Sequence, residues 1–324
     1  MNKKLLFLSL LCGTISLYSQ TDSTKIAFIA YWSKGDSYDF KVSKIQSTWE
    51  NDILTKKDSS QYIANFEVLD STSESYKIQW TYKNKIVSTF QEKAREYYQD
   101  KDAVNHIMSK YDTSKIIYKT NELGEFIQIL NWQQLSSVMK ELLDEMEKSL
   151  AIKRPEKAKQ LKQAMAPLIE IYSSKEGIEQ IAMKELQYFH FPFGVEYDIT
   201  TPIEYEQELP SMIGGDPIIG NAVLTFEEVD FENAYCVLKE EVFLNPEETK
   251  RQTTKLLNKM GLNDSQVTEV MENAVFDVRD LSYYQYFYYP GVPYYVHSSR
   301  NVILNMEKTD YKRIDEVSLE LIYE

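Results

Sequence analysis

Tyr38-Asp39-Phe40-Lys41-Val42-Ser43-Lys44-Ile45 alternates polar and apolar side chains, a two-residue period that suits one regular structure. Successive side chains of a β-strand point to opposite faces, so this pattern buries one face and wets the other. Tyr62–Leu69 and Tyr76–Tyr82 continue it, with Asp70-Ser71-Thr72-Ser73-Glu74-Ser75 as the turn between them. Ile26–Trp32 reads as a buried strand ending at Lys34-Gly35. Ile116-Ile117-Tyr118 and Phe126–Ile129 flank Asn121-Glu122-Leu123-Gly124, which predicts a hairpin. A helix is expected between, from about Thr89 to Met108.

The middle of the chain changes period. Trp132, Leu135, Met139, Leu142, Met146 and Leu150 recur at spacings of three and four, one apolar stripe on a helix. Pro155 can open a second helix, where Ala158, Leu161, Met165, Leu168 and Tyr172 repeat the spacing. Pro167 should kink or split it. Ser173 and Glu176 have capping-box spacing for a third helix running to about Phe189. Such stripes predict packing on other helices or on a sheet.

After Gly194 the sequence restates elements of the first part. Gly35-Asp36-Ser37-Tyr38-Asp39-Phe40 matches Gly194-Val195-Glu196-Tyr197-Asp198-Ile199, Phe66-Glu67 matches Phe226-Glu227, and Tyr76 matches Tyr235, at nearly constant offset. A constant offset is the mark of an internal repeat. Both copies continue into a helix, here Pro246 to Met260 with Asn245 as N-cap and Gly261 as stop, and a further helix is expected after Asp264.

The stretch SYYQYFYYPGVPYYV, residues 282–296, carries eight aromatic rings. In a strand, Tyr284, Tyr286 and Tyr288 face one way and Tyr283, Phe287 and Tyr289 the other. Tyr289-Pro290-Gly291-Val292 suits a type II turn, with proline second and glycine third. Cross-strand aromatic pairing favours a structural hairpin. The alternative is a ligand-facing surface made of Tyr284, Tyr286, Tyr288, Tyr294 and His297.

Lys3 and Lys4 precede the apolar run Leu5–Cys12, and polar residues follow to Gln20. This layout predicts a secretory signal peptide over residues 1–20, cut near Ser19 or Gln20. Leu11 before Cys12 argues against a lipid anchor, so export to the periplasm or beyond is expected. The chain left then holds one cysteine, Cys236, which cannot close an intrachain disulfide and reads as a small buried hydrophobe. The formal charge of −14, or −16 without Lys3 and Lys4, disfavours nucleic acid and anionic lipid surfaces. No second long apolar run is seen, so no transmembrane segment is expected in the mature chain.

Catalytic and metal motifs do not stand out. His106, His190 and His297 are far apart, without paired metal-ligand spacing. Ile213–Gly220, the most glycine-rich stretch, leads into the strand-like Ala222–Phe226, whereas a phosphate cradle needs a helix there; it reads as a loop. No catalytic residue, metal ligand or cofactor is assigned.

The Gly-x-x-Tyr-Asp strand opening, the Tyr118–Phe126 hairpin and the Tyr-Pro-Gly-Val-Pro turn resemble uncharacterised exported proteins of the Bacteroidota. That resemblance implies a cell-envelope location and brings no activity. The fold expected is α+β: two related antiparallel β-rich halves, residues 21–130 and 191–324, each with helices on one face, joined by a helical segment at 131–190. The function expected is a non-enzymatic binding or assembly protein of the envelope, its partner a small apolar or glycan ligand or an envelope protein. An extracytoplasmic hydrolase using carboxylates is the alternative.

Overall fold

The computed structural model describes residues 24–83, 106–107, 109–110, 114–153, 155, 158–181, 184–209, 218–259, 267, 271, 274–306 and 309–323. The first part of the chain supplies β1 (Lys25–Ala27), β2 (Ser37–Glu50), β3 (Ile53–Ser71), β4 (Ser75–Tyr82), β5 (Lys115–Asn121) and β6 (Phe126–Ile129). Four helices follow, α1 (Trp132–Lys153), α2 (Ala158–Ser173), α3 (Lys175–Ile181) and α4 (Lys184–His190). The last part holds β7 (Glu196–Asp198), β8 (Ile203–Leu209), β9 (Ile218–Asp230), β10 (Tyr235–Leu244), α5 (Pro246–Lys259), β11 (Val275–Phe287), β12 (Val292–Met306) and β13 (Thr309–Leu321).

Eleven strands make one antiparallel sheet in the order β6-β5-β4-β3-β2-β13-β12-β11-β10-β9-β8, while β1 pairs with β7 apart from it. Strands outweigh helices, and the expected halves share this sheet, joined where β2 pairs with β13. Within the sheet, each half lays down its strands in chain order.

Register carries one buried face across the middle of the sheet. Tyr62, Val42, Leu319, Val296, Tyr284 and Leu238 stand opposite one another on six successive strands, and all six are buried. The helices cover this face. From α4, Phe189 stacks on Phe66 at 4.9 Å and meets Phe40 and Trp80 edge-on at 5.6 and 6.2 Å. From α5, Leu257 packs with Phe276 and Leu304. Fully burying an aromatic or aliphatic side chain contributes about 1.5–3 kcal/mol, so this cluster is the main source of cohesion.

Of the expected first strand, Ile26–Trp32, only Ile26 and Ala27 pair, within β1; residues 28–32 continue as a strap. Phe28 N–H donates to the Val195 carbonyl at 3.0 Å, Ala30 N–H to Leu123 at 2.9 Å and Tyr31 N–H to Pro290 at 3.1 Å. Its hydrogen bonds go to three loops, which satisfies the backbone without a ladder.

Other expectations need correction. Helix α2 runs on past Pro167; a proline removes one helical hydrogen bond, and here that loss does not split the element. The third helix is two, α3 and α4. Its cap is Ser174, whose hydroxyl accepts from Gly177 N–H at 3.0 Å. Asn245 does cap α5, accepting from Glu248 N–H at 3.0 Å. The turn before β12 is not type II: Tyr289–Pro290 is cis, and Gly291 N–H closes back on Phe287 at 3.1 Å. The helices expected at 89–108 and after Asp264 lie largely outside the described residues, as does the loop expected at Ile213–Gly220 except for Ile218–Gly220, which belong to β9.

Candidate functional site

The covered face changes character along its strands. One rung beyond the buried row stand Glu240, Ser282, Ser298, Val317, Lys44 and Ser60, from β10 to β3. The next rung reads Val242, Asp280, Arg300, Asp315, Gln46 and Asp58. Two polar rungs on the face that elsewhere holds the core require a reason, because each polar group removed from water must find a partner.

The partners are present. Arg300 grips Asp280 with Nε and Nη2 at 2.7 and 2.5 Å. Arg313 lies against Asp315, Nε to Oδ2 at 2.8 Å, and Gln46 Nε2 donates to Asp315 Oδ1 at 2.8 Å. Lys56 meets Asp58 at 2.9 Å. Lys44 reaches over to Glu185 of α4, which also accepts from the Tyr62 hydroxyl. Burial alone would push the Glu185 carboxyl up, but the Lys44 ammonium and the two hydrogen bonds outweigh it and hold the pKa below the ordinary value. Ser282 and Ser298 bond each other at 2.9 Å.

Above these rungs is a cleft of about 460 Å³, lined by Lys44, Gln46, Asp58, Arg300, Arg313 and Asp315 together with the less polar Val278, Val302, Tyr311 and Val317. A concave site with a few fixed polar groups among apolar ones is the usual form of a small-molecule pocket. Glu240 is not among the lining residues; it is buried beside them, accepting from the Tyr205 hydroxyl at 2.5 Å and the Tyr284 hydroxyl at 2.9 Å. Burial raises its pKa, those two hydrogen bonds oppose the rise, and the nearby Asp280 charge adds to it.

The tyrosines singled out from the sequence lie elsewhere. Tyr284 and Tyr286 are 1% and 0% exposed, so they are core side chains and present no ligand-facing surface. Tyr284 stacks on Phe191 at 4.6 Å, and Tyr286 donates to the Phe189 carbonyl. Tyr288 is half-buried, edge-on to Phe28 at 6.4 Å. Tyr294 is exposed between Phe287 and Tyr323. His297 stands on the opposite face from Val296, 3.9 Å from Glu316. The five residues do not share one surface. The reason is the strand period, which sends alternate residues through the sheet, and the bulge between Gln285 and Tyr286.

The cleft residues were missed, although the sequence held a signal for them. Phe40 and Val42 are followed in phase by Lys44 and Gln46, and Leu319 and Val317 are preceded in phase by Asp315 and Arg313. Polar residues that keep the phase of a buried face mark where that face opens.

No protein-family model matches the chain, and no curated protein matches it. Its fold is similar to a structure described as "Lipid-protein interactions in lipovitellin", at 8% identity and a TM-score of 0.41. The similarity covers 90% of this chain and 25% of that one, so the chain spans about a quarter of its length. At this level the likeness bears on neither ligand nor activity.

Proposed function

We propose that the protein is a ligand-binding protein of the cell envelope, exported by the N-terminal apolar segment, whose site is the cleft over β2, β3, β12 and β13. The observation that carries this reading is the pair of polar rungs on the covered face, kept open to a cavity of about 460 Å³ while the rung from Tyr62 to Leu238 beside them is buried. Ion pairs set into a sheet face add little net stability compared with apolar packing, so their placement fits recognition better than cohesion. Binding is favoured over carboxylate-based hydrolysis by the pairing of the lining acids. Asp315 is held by Arg313 and Gln46, Asp58 faces Lys56, and the raised carboxyl, Glu240, is sealed behind two tyrosines. A general acid needs both a raised pKa and reach to substrate.

Thermal-shift screening of the purified mature chain against saccharides, nucleotides and fatty acids tests the reading. At least one class should raise the melting midpoint, and Ser60→Trp, which fills the cleft from a small half-buried position, should abolish that rise while melting normally by itself. Shifts that survive Ser60→Trp, or none at all, overturn it. Mass spectrometry of the exported chain should find a mature N-terminus near Gln20 or Thr21; an intact Met1 overturns the envelope assignment, and a lipidated Cys12 overturns release without a lipid anchor.

A further inference from the structure

Resting on the cleft reading above, we infer that the ligand is neutral and hydroxyl-rich, a saccharide or short glycan. The charges of the floor are already balanced within the protein. Lys44, Arg300 and Arg313 each meet a carboxylate, from Glu185, Asp280 and Asp315 respectively. An anionic ligand would compete with three fixed carboxylates and face Asp58 as well; a cationic ligand would face two guanidinium groups. A purely apolar ligand would strip water from Gln46, Asp58 and Arg313 and return nothing to them, at a cost for each unpaired group.

A hydroxyl escapes all three objections, because it donates and accepts at once. The rung Asp280, Arg300, Asp315, Gln46, Asp58 alternates acceptor and donor along five strands. Both arginines face their aspartates through Nε and Nη2, so among the described residues each Nη1 carries no hydrogen bond. The carboxylates keep lone pairs beyond those the arginines occupy. Adjacent strands lie about 4.8 Å apart, so donors and acceptors repeat at a spacing suited to a row of hydroxyls on a ring. Tyr311, Val278 and Val302, which line the same cleft, offer a less polar wall for the C–H face of such a ring. Pre-paired groups are also held still, which lowers the ordering cost of binding.

The test is a titration of the mature chain with neutral oligosaccharides, sulfated oligosaccharides and a long-chain fatty acid, each at low and high salt. Neutral oligosaccharides should bind, with affinity changing less than about twofold between about 50 and 500 mM salt, because no net charge is neutralised. Gln46→Leu and Tyr311→Ala should each weaken that binding about tenfold, the loss of one hydrogen bond or contact of about 1.4 kcal/mol, with both variants still folded at the assay temperature. If sulfated sugars or the fatty acid bind instead, and Ser60→Trp blocks them, the cleft stands and the neutral-glycan assignment falls. If nothing binds in a Ser60→Trp-sensitive way, both fall.

Discussion

Tyr118 donates its hydroxyl proton to Nε2 of His190 across 3.0 Å. The direction follows from the other ring nitrogen, Nδ1, which lies 2.7 Å from the Gly124 carbonyl oxygen; a carbonyl only accepts, so Nδ1 carries the proton and Nε2 the lone pair. That assignment holds because burial keeps the imidazole neutral, lowering its pKa from 6.5 to about 3 against the opposing pull of the carbonyl. Below pH 6.5 the unfolded chain takes up a proton that the folded chain refuses, so stability falls as pH drops from 6.5 towards about 3. Denaturant midpoints of wild type and His190→Gln over that range should show a shallower slope for the variant.

Glu185 and Glu240 should respond to pH in opposite senses. The Glu185 pKa is lowered, so its contribution is present above the unfolded carboxyl value of about 4.3 and is lost as pH falls through the folded one. Glu185→Gln should cost about 1–3 kcal/mol at pH 7, below the range for a fully buried pair because the Lys44 side chain is 41% exposed. The difference should close below about pH 4. The Glu240 pKa is raised, so the folded state holds its proton longer and stability falls as pH rises from the ordinary value through the raised one. Glu240→Gln should gain on wild type as pH climbs. Thermal melts of the two variants from about pH 2 to 8 check both signs.

Gly124 and Gly291 both lie against the ring of Phe193. A Cβ on Gly124 would sit 2.7 Å from Phe193 Cδ1 and from Ala30 Cβ, and one on Gly291 would sit 3.0 Å from Phe193 Cε1. Both glycines also hold positive φ, +94° and +92°, which a β-branched residue adopts only with strain. Gly291→Val should therefore cost about 1–3 kcal/mol from the backbone alone, and Gly124→Ala should be at least as damaging. Gly35→Ala supplies the control: its φ is +93° but nothing lies within 4 Å of the added Cβ, so it should be the mildest of the three by chemical denaturation.

Truncating the tyrosines separates core from surface. Tyr284→Ala and Tyr286→Ala should each cost about 3 kcal/mol or more, as buried aromatic truncations do. Tyr294→Ala, at a site 39% exposed, should stay within about 1 kcal/mol. Equal melting midpoints for all three would contradict the burial described above.

Much of the fold was legible because it rests on period. The alternation around Phe40 and Val42 specifies a face, and that face is buried; of the stripe from Trp132 to Leu150, Leu142 is buried while Trp132, Leu135 and Met139 are partly buried against the core. What sequence did not disclose was pairing between distant strands. Nothing local to Val42 names Leu319 as its neighbour, so one shared sheet was read as two halves. The tyrosine stretch forms the hairpin that cross-strand pairing favours, with Tyr284 and Tyr286 in the core, while the cleft is written in quieter residues such as Gln46 and Asp315. The duplication remains a proposal, supported by two like contacts, Tyr38 with Phe66 at 6.1 Å and Tyr197 with Phe226 at 5.8 Å, although Tyr38 lies on β2 of the large sheet and its counterpart Tyr197 on β7, which pairs with β1 apart from that sheet. It predicts that, in an alignment of relatives, residues 35–130 and 194–305 should detect each other as one profile; mutual silence would remove it.

The Trp32 indole N–H donates to the Gly291 carbonyl at 2.9 Å across 259 positions of sequence, and β2 waits for β13 before its second edge is paired. Synthesis is thus far ahead of closure for nearly the whole life of the nascent chain. Until residue 321 is free, β2 offers an unpaired edge and the strap has no Pro290 carbonyl to bind, and such edges recruit strands from other molecules. A chain ending before Thr309 leaves that edge of β2 open and should aggregate where one that includes β13 folds.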